Sequence, residues 1–122
     1  MSKYKIGVNK IVHKMGLYGE YFKAIKEGKK TVEVRLNDEN RRGIKVGDTI
    51  EFIKVPEQYE TLKVQVTDLR KYDTFEEMYE NIPFQDFDCE GWSMKDMVEG
   101  TYEIYTPEQE KQWGTLAITI KY

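Results

Sequence analysis

The stretch GKKTVEVRLND, residues 28–38, decides how this chain is read. Thr31, Glu33 and Arg35 alternate with Val32, Val34 and Leu36, and this is the period of a β-strand, whose side chains point in turn to opposite faces. One face is aliphatic and suits a core. The other carries a hydroxyl, a carboxylate and a guanidinium, with Lys29 and Lys30 at its entrance. Such a face is either a site or the wet side of a sheet. Glu33 and Arg35 stand about 6.5–7 Å apart by strand rise, so they can pair as a structural brace or present acceptor and donors to a ligand.

Working outward, residues 19–27 (GEYFKAIKE) carry apolar side chains at helical spacing, and Gly28 suits the helix stop. Residues 6–15 (IGVNKIVHKM) read as an opening strand. On the other side, NDENRRG is a polar connection and KVGD a tight turn, Gly47 supplying a positive φ. The strand TIEFIKV follows. ETLKVQVTDLRKY is a longer strand with Leu62, Val64 and Val66 on one face. Thr74 caps a helix through FEEMYEN, and Ser93, with Asp96 three residues on, caps another. Thr106 and Pro107 open a third as N-cap and N1 residues. The chain closes on the strand WGTLAITIKY, with Trp113 expected to pack into the core. About five strands and several short helices make a mixed α/β domain with a small, mostly antiparallel sheet or barrel.

Composition sets the outer bounds. With 122 residues, the chain reads as one domain, residues 1–122, long enough for a single core. Charged residues make up 34%, yet the net charge is only −3, so any attraction to nucleic acid must be local. Such a local excess exists: between Lys23 and Lys45 eight basic residues face four acids. Charge runs are usually solvated surface, but this one could steer a phosphate-bearing ligand. The lone cysteine, Cys89, permits no intrachain disulfide, and a cytoplasmic protein is expected. No metal-ligand spacing and no membrane-length apolar run is seen, so neither metal, cofactor nor membrane is expected.

The run HKMGLYGEYFKAIKEGKKTVEVRLNDENRRGIKVGDTIEF, with TFEEMYENIP and the closing IYTPEQEKQWGTLAITI, resembles the ASCH domain family of the PUA-like superfamily. The matching features are a helix ending in Gly, then K-K-T-x-E-x-R, basic residues, and G-D-x-I-x-F. The resemblance implies a small PUA-like β-barrel, mainly β, of about five strands flanked by short helices beside a cleft. It also implies RNA, a nucleotide or a modified nucleoside as ligand, or alternatively a small enzyme acting on RNA or a nucleoside (nuclease or amidohydrolase) or a protein-interaction module. One subgroup hydrolyses an acylated cytidine with a Lys, a Thr and a Glu. Lys30 matches the Lys and Glu90 is the match for the Glu, but Glu33 stands where the Thr belongs. A carboxylate does not replace an attacking hydroxyl, and this argues against that hydrolysis.

The candidate ligand residues are therefore Lys30, Glu33, Arg35, Arg41, Arg42, His13 and Tyr105. Lys30 would contact an anion or a base carbonyl, or else be a solvated lysine at a junction. Tyr105 would stack on a base, as Trp92 could. His13, on the first strand, is the only histidine, and a lone histidine is more often packed and hydrogen-bonded than functional. Cys89 has no activating base nearby in sequence.

Overall fold

The computed structural model describes residues 11–122. Five strands and four α-helices run in the order β1 (Val12–Tyr18), α1 (Gly19–Lys26), β2 (Val32–Leu36), β3 (Thr49–Val55), β4 (Thr61–Tyr72), α2 (Phe75–Asn81), α3 (Met94–Tyr102), α4 (Pro107–Trp113) and β5 (Thr115–Lys121). A 3-10 turn at Phe84–Asp86 lies between α2 and α3. Of the expected opening strand, residues 6–10 lie outside the described residues; Val12–Met15 are in β1, which continues to Tyr18.

The sheet order is β1-β3-β4-β5-β2. Among the described residues only β1 and β3 pair in parallel; the other three pairings are antiparallel. The sheet curls into a half-barrel with β1 and β2 as its outer strands. Mixed α/β, mostly antiparallel and small: the sequence pattern pointed to this architecture.

Strand β5 explains how one sheet supports two cores. Leu116, Ile118 and Ile120 enter a cluster with Phe22 and Ile25 of α1, Phe52 of β3 and Val64 of β4. Ala117, on the opposite face, joins Val32 and Leu36 of β2, Phe75 and Met78 of α2 and Met97 of α3. A strand covered on both faces reads as a continuous apolar run rather than an alternation, as TLAITI does. β4 is covered on one face, and its Leu62, Val64 and Val66 alternate with exposed Lys63 and Gln65. A bulge between Val66 and Asp68 interrupts that register.

The helix ends follow local chemistry. Ser93 and Asp96 form a reciprocal capping box, as do Thr106 and Gln109. Thr74 accepts from the Glu77 N–H. Gly28 and Gly47 have φ of 78° and 95°, where a side chain would be strained. Trp113 does not open β5. It ends α4, half-buried, and Gly114 at φ 73° turns the chain into the strand.

Candidate functional site

Register fixes which way the polar face of β2 looks. Glu33 lies opposite Ile118 of β5, and paired residues share a face, so Glu33 points to the side of the first core. Val32 and Leu36 point to the second. Both faces of β2 are thus covered, and the charged one is not a wet side. Lys30 and Glu33 are only 6% and 5% exposed. Thr31 parts from this group: it is exposed, precedes β2, and faces a different depression near Ile120.

Lys30, Glu33 and Arg35 form one ion cluster. Arg35 donates to Glu33 Oε2 from Nε at 2.8 Å, with Nη2 at 2.7 Å from the same oxygen. Lys30 Nζ lies 3.4 Å from Glu33 Oε1 and donates to the Val32 carbonyl at 2.8 Å. Arg35 Nη2 also donates to the Gly16 carbonyl of β1 at 2.9 Å, which ties the outer strands together. Lys30 Nζ sits 5.7 Å from the ring centroids of both Tyr21 and Phe87, within cation–π range. An antiparallel bridge between Lys30 and Phe87 holds the backbone on that side. Burial alone would lower the Arg35 pKa, but the adjacent Glu33 carboxylate outweighs it and raises the group above its ordinary value. The guanidinium is permanently charged.

This cluster floors a cavity of about 690 Å³. One wall is the end of β1 and the inner face of α1, including Gly16, Tyr21 and Ala24. The other is α2, α3 and the segments beside them, including Tyr79, Phe87, Thr101 and Tyr105. Tyr105 stacks on Phe75 at 5.7 Å between centroids, which fixes its ring. Burial raises the Tyr105 hydroxyl pKa despite the opposing pull of Arg35, so it stays a neutral phenol. Thr101 donates to the Met97 carbonyl at 2.8 Å and therefore accepts from the Tyr79 hydroxyl at 2.6 Å. Cys89 also lines the cavity; burial raises its thiol above the ordinary value and Lys30 only partly offsets this, so the thiolate is disfavoured.

The other candidates lie elsewhere. His13 Nε2 is 2.8 Å from Asp48 Oδ2 on the far part of β1 and does not line the cavity. Asp48 is buried and also accepts from the backbone N–H groups of Lys45 and Ile11. This pair is a packing brace. Arg41 pairs with Asp38 at 3.5 Å, and Arg42 donates to the Asn37 carbonyl while lying over the Trp113 ring. Neither Arg41 nor Arg42 lines the cavity. Glu90 is exposed and outside it. Of the sequence candidates, the structure brings Lys30, Glu33, Arg35 and Tyr105 together, with Trp92 at the edge.

Sequence reading missed Tyr21, Tyr79 and Phe87. Phe75, Met78, Tyr79 and Ile82 do recur at helical spacing, which marks a buried face. The spacing does not tell which member of that face borders empty space.

The half-barrel sheet of five strands with four helices, among the described residues, is consistent with the PUA-like ASCH fold. Residues 15–122 match the ASCH domain family, and the chain belongs to it. Among solved structures, that of hypothetical protein PH0355 is 39% identical, with a TM-score of 0.79 over 90% of this chain and 97% of that one. The solution structure of PF0455 from Pyrococcus furiosus is 37% identical, with a TM-score of 0.72 over 90% and 96%. ASCH from Zymomonas mobilis shares the fold at 16% identity, with a TM-score of 0.60 over 91% of this chain and 67% of that one. No curated protein matches the sequence.

Proposed function

We propose that this ASCH domain binds a nucleobase-bearing ligand (RNA, a nucleotide or a modified nucleoside) in the cavity above Lys30, Glu33 and Arg35. The carrying observation is a ligand-sized cavity, about 690 Å³, that combines aromatic walls with a buried charged floor. Tyr105 and Tyr21 offer flat apolar surface to a base. Lys30 offers a proton to a carbonyl oxygen, and Glu33 accepts from an exocyclic amine. Because the floor is already paired, a ligand meets groups held in place and spends little on ordering them. Recognition is favoured over the acylated-cytidine hydrolysis of some relatives. Glu33 offers no hydroxyl, Thr31 lies outside the cavity and the Thr101 hydroxyl is engaged.

The test is equilibrium titration with ribonucleosides, acylated cytidine, their monophosphates and short single-stranded RNA, on the wild type and on Tyr105→Ala and Tyr21→Ala. Binding that weakens at least tenfold in both variants, with far-UV spectra unchanged, is the expected result. Failure of every such compound to bind, or binding indifferent to both substitutions, overturns the assignment.

A further inference from the structure

We propose that this cavity selects against phosphate, and so takes a free nucleoside rather than a nucleotide or an RNA chain. The inference deepens the reading of the cavity as a nucleobase site and rests on it. The charged residues lining the cavity are two cations, Lys30 and Arg35, and four acids, Glu20, Glu33, Asp88 and Glu103. The cations are committed: Lys30 to Glu33 and the Val32 carbonyl, Arg35 to Glu33 and the Gly16 carbonyl. Glu20, Asp88 and Glu103 are exposed, so they stand where the cavity meets solvent.

A base seated against the floor places the substituents of its sugar toward that mouth. A phosphate there lies among three carboxylates, with the compensating cations at the far end and already paired. Like charges in a partly enclosed site repel more than they would in open water. The basic excess of residues 23–45 does not relieve this. Lys26 reaches Glu60, Lys29 reaches Glu27 and Arg41 reaches Asp38; none of the three lines the cavity. The rest of the mouth suits an uncharged sugar: Tyr18, Trp92 and Ile104 line it while remaining 60%, 49% and 50% exposed. The acidic field also reaches inside. The Tyr21 hydroxyl is raised first by burial and then by Glu20, with further contributions from Glu33 and Glu103.

Calorimetric titration of the full chain with cytidine, uridine, adenosine, guanosine and acylated cytidine, each beside its monophosphate, tests the proposal. At least one nucleoside is expected to bind about tenfold or more tightly than its monophosphate, about 1.4 kcal/mol. Glu20→Gln combined with Glu103→Gln should narrow the gap at least threefold by strengthening monophosphate binding relative to nucleoside binding. A monophosphate that binds as well as its nucleoside, or a gap indifferent to the double substitution, overturns the selectivity and leaves the nucleobase site standing. Absence of binding by every nucleoside and every monophosphate overturns both.

Discussion

Arg35 on β2 donates to the carbonyl oxygen of Gly16 on β1 across 2.9 Å, although these strands stand at opposite ends of the sheet. The same guanidinium holds Glu33, which in turn holds Lys30. The question of whether the polar face of TVEVR is a site or a brace therefore has a double answer. Its charges brace the half-barrel, and the braced cluster is the floor of the cavity. A variant in this cluster has to be read for stability before it is read for binding.

Glu33→Gln should be strongly destabilising. It keeps the shape but leaves one buried cation, Lys30, and one half-buried cation, Arg35, without their carboxylate, and breaking a buried ion pair by removing one partner costs about 3–5 kcal/mol. Lys30→Ala should cost less, because Arg35 still neutralises Glu33, but well above the half kcal/mol of a surface change. Chemical denaturation of both variants measures this. Equal, negligible losses would mean that the cluster braces nothing.

Glu110 offers a separate test of the frame. Buried in α4, it accepts from the Phe75 N–H at 2.7 Å and from the Tyr102 hydroxyl at 2.6 Å, so one carboxylate joins the start of α2 to the end of α3. The bond to Glu110, with burial adding to it, pushes Tyr102 up to about 12. Glu110→Ala should cost about 2–3 kcal/mol, since it orphans a buried backbone donor. The Tyr102 phenol should fall toward 10, read by ultraviolet titration against Tyr102→Phe. A Tyr102 titration unmoved by the substitution would contradict the contact.

Asp48 predicts an acid-sensitive element. Burial alone would raise its carboxyl, but the hydrogen bonds from His13 and from the backbone of Lys45 and Ile11 outweigh it and hold the pKa below the ordinary 3.8. A folded value below the unfolded one contributes stability above about pH 4 that is lost as pH falls through the folded value. Asp48→Asn should lose stability at neutral pH and show a flatter stability profile below pH 4. Parallel profiles for wild type and variant would remove Asp48 from the acid response.

Purified protein incubated with acylated cytidine should release no product at an enzyme-like rate. The cavity offers the Glu33 carboxylate rather than a free hydroxyl as nucleophile, and a Cys89 thiol whose ionisation is disfavoured by burial. Chromatography of the mixture decides the matter. Rapid turnover that disappears in Lys30→Ala would locate a nucleophile the geometry does not reveal.

How much of this was legible in the sequence depends on the range of the interaction. Alternation in ETLKVQV and the caps at Ser93 and Thr106 are set by residues within a few positions of one another, and they form as the pattern implies. Alternation in TVEVR likewise told which side chains share a face. It could not tell that both faces are covered, because the cover comes from α1 on one side and α2 and α3 on the other. His13 and Asp48, or Glu110 and Phe75, lie 35 residues apart, and no local spacing announces such pairs. Trp113 was misplaced because an aromatic before a β-branched run resembles a strand, whereas the capping box at Thr106 carries the helix up to it.

The position of β5 bears on when the cavity can exist. Every residue that lines it falls between Gly16 and Tyr105, so the walls are all present in a chain that has emerged from the ribosome as far as residue 110. Yet among the described residues β2 finds its strand partner only in β5, Thr115–Lys121. Until that segment arrives, Glu33 and Arg35 belong to a strand with no neighbour to hold its register. Translation thus delivers the cavity-lining residues before the strand that aligns them, and a nascent or proteolytically clipped chain can carry all of the former without a formed cavity.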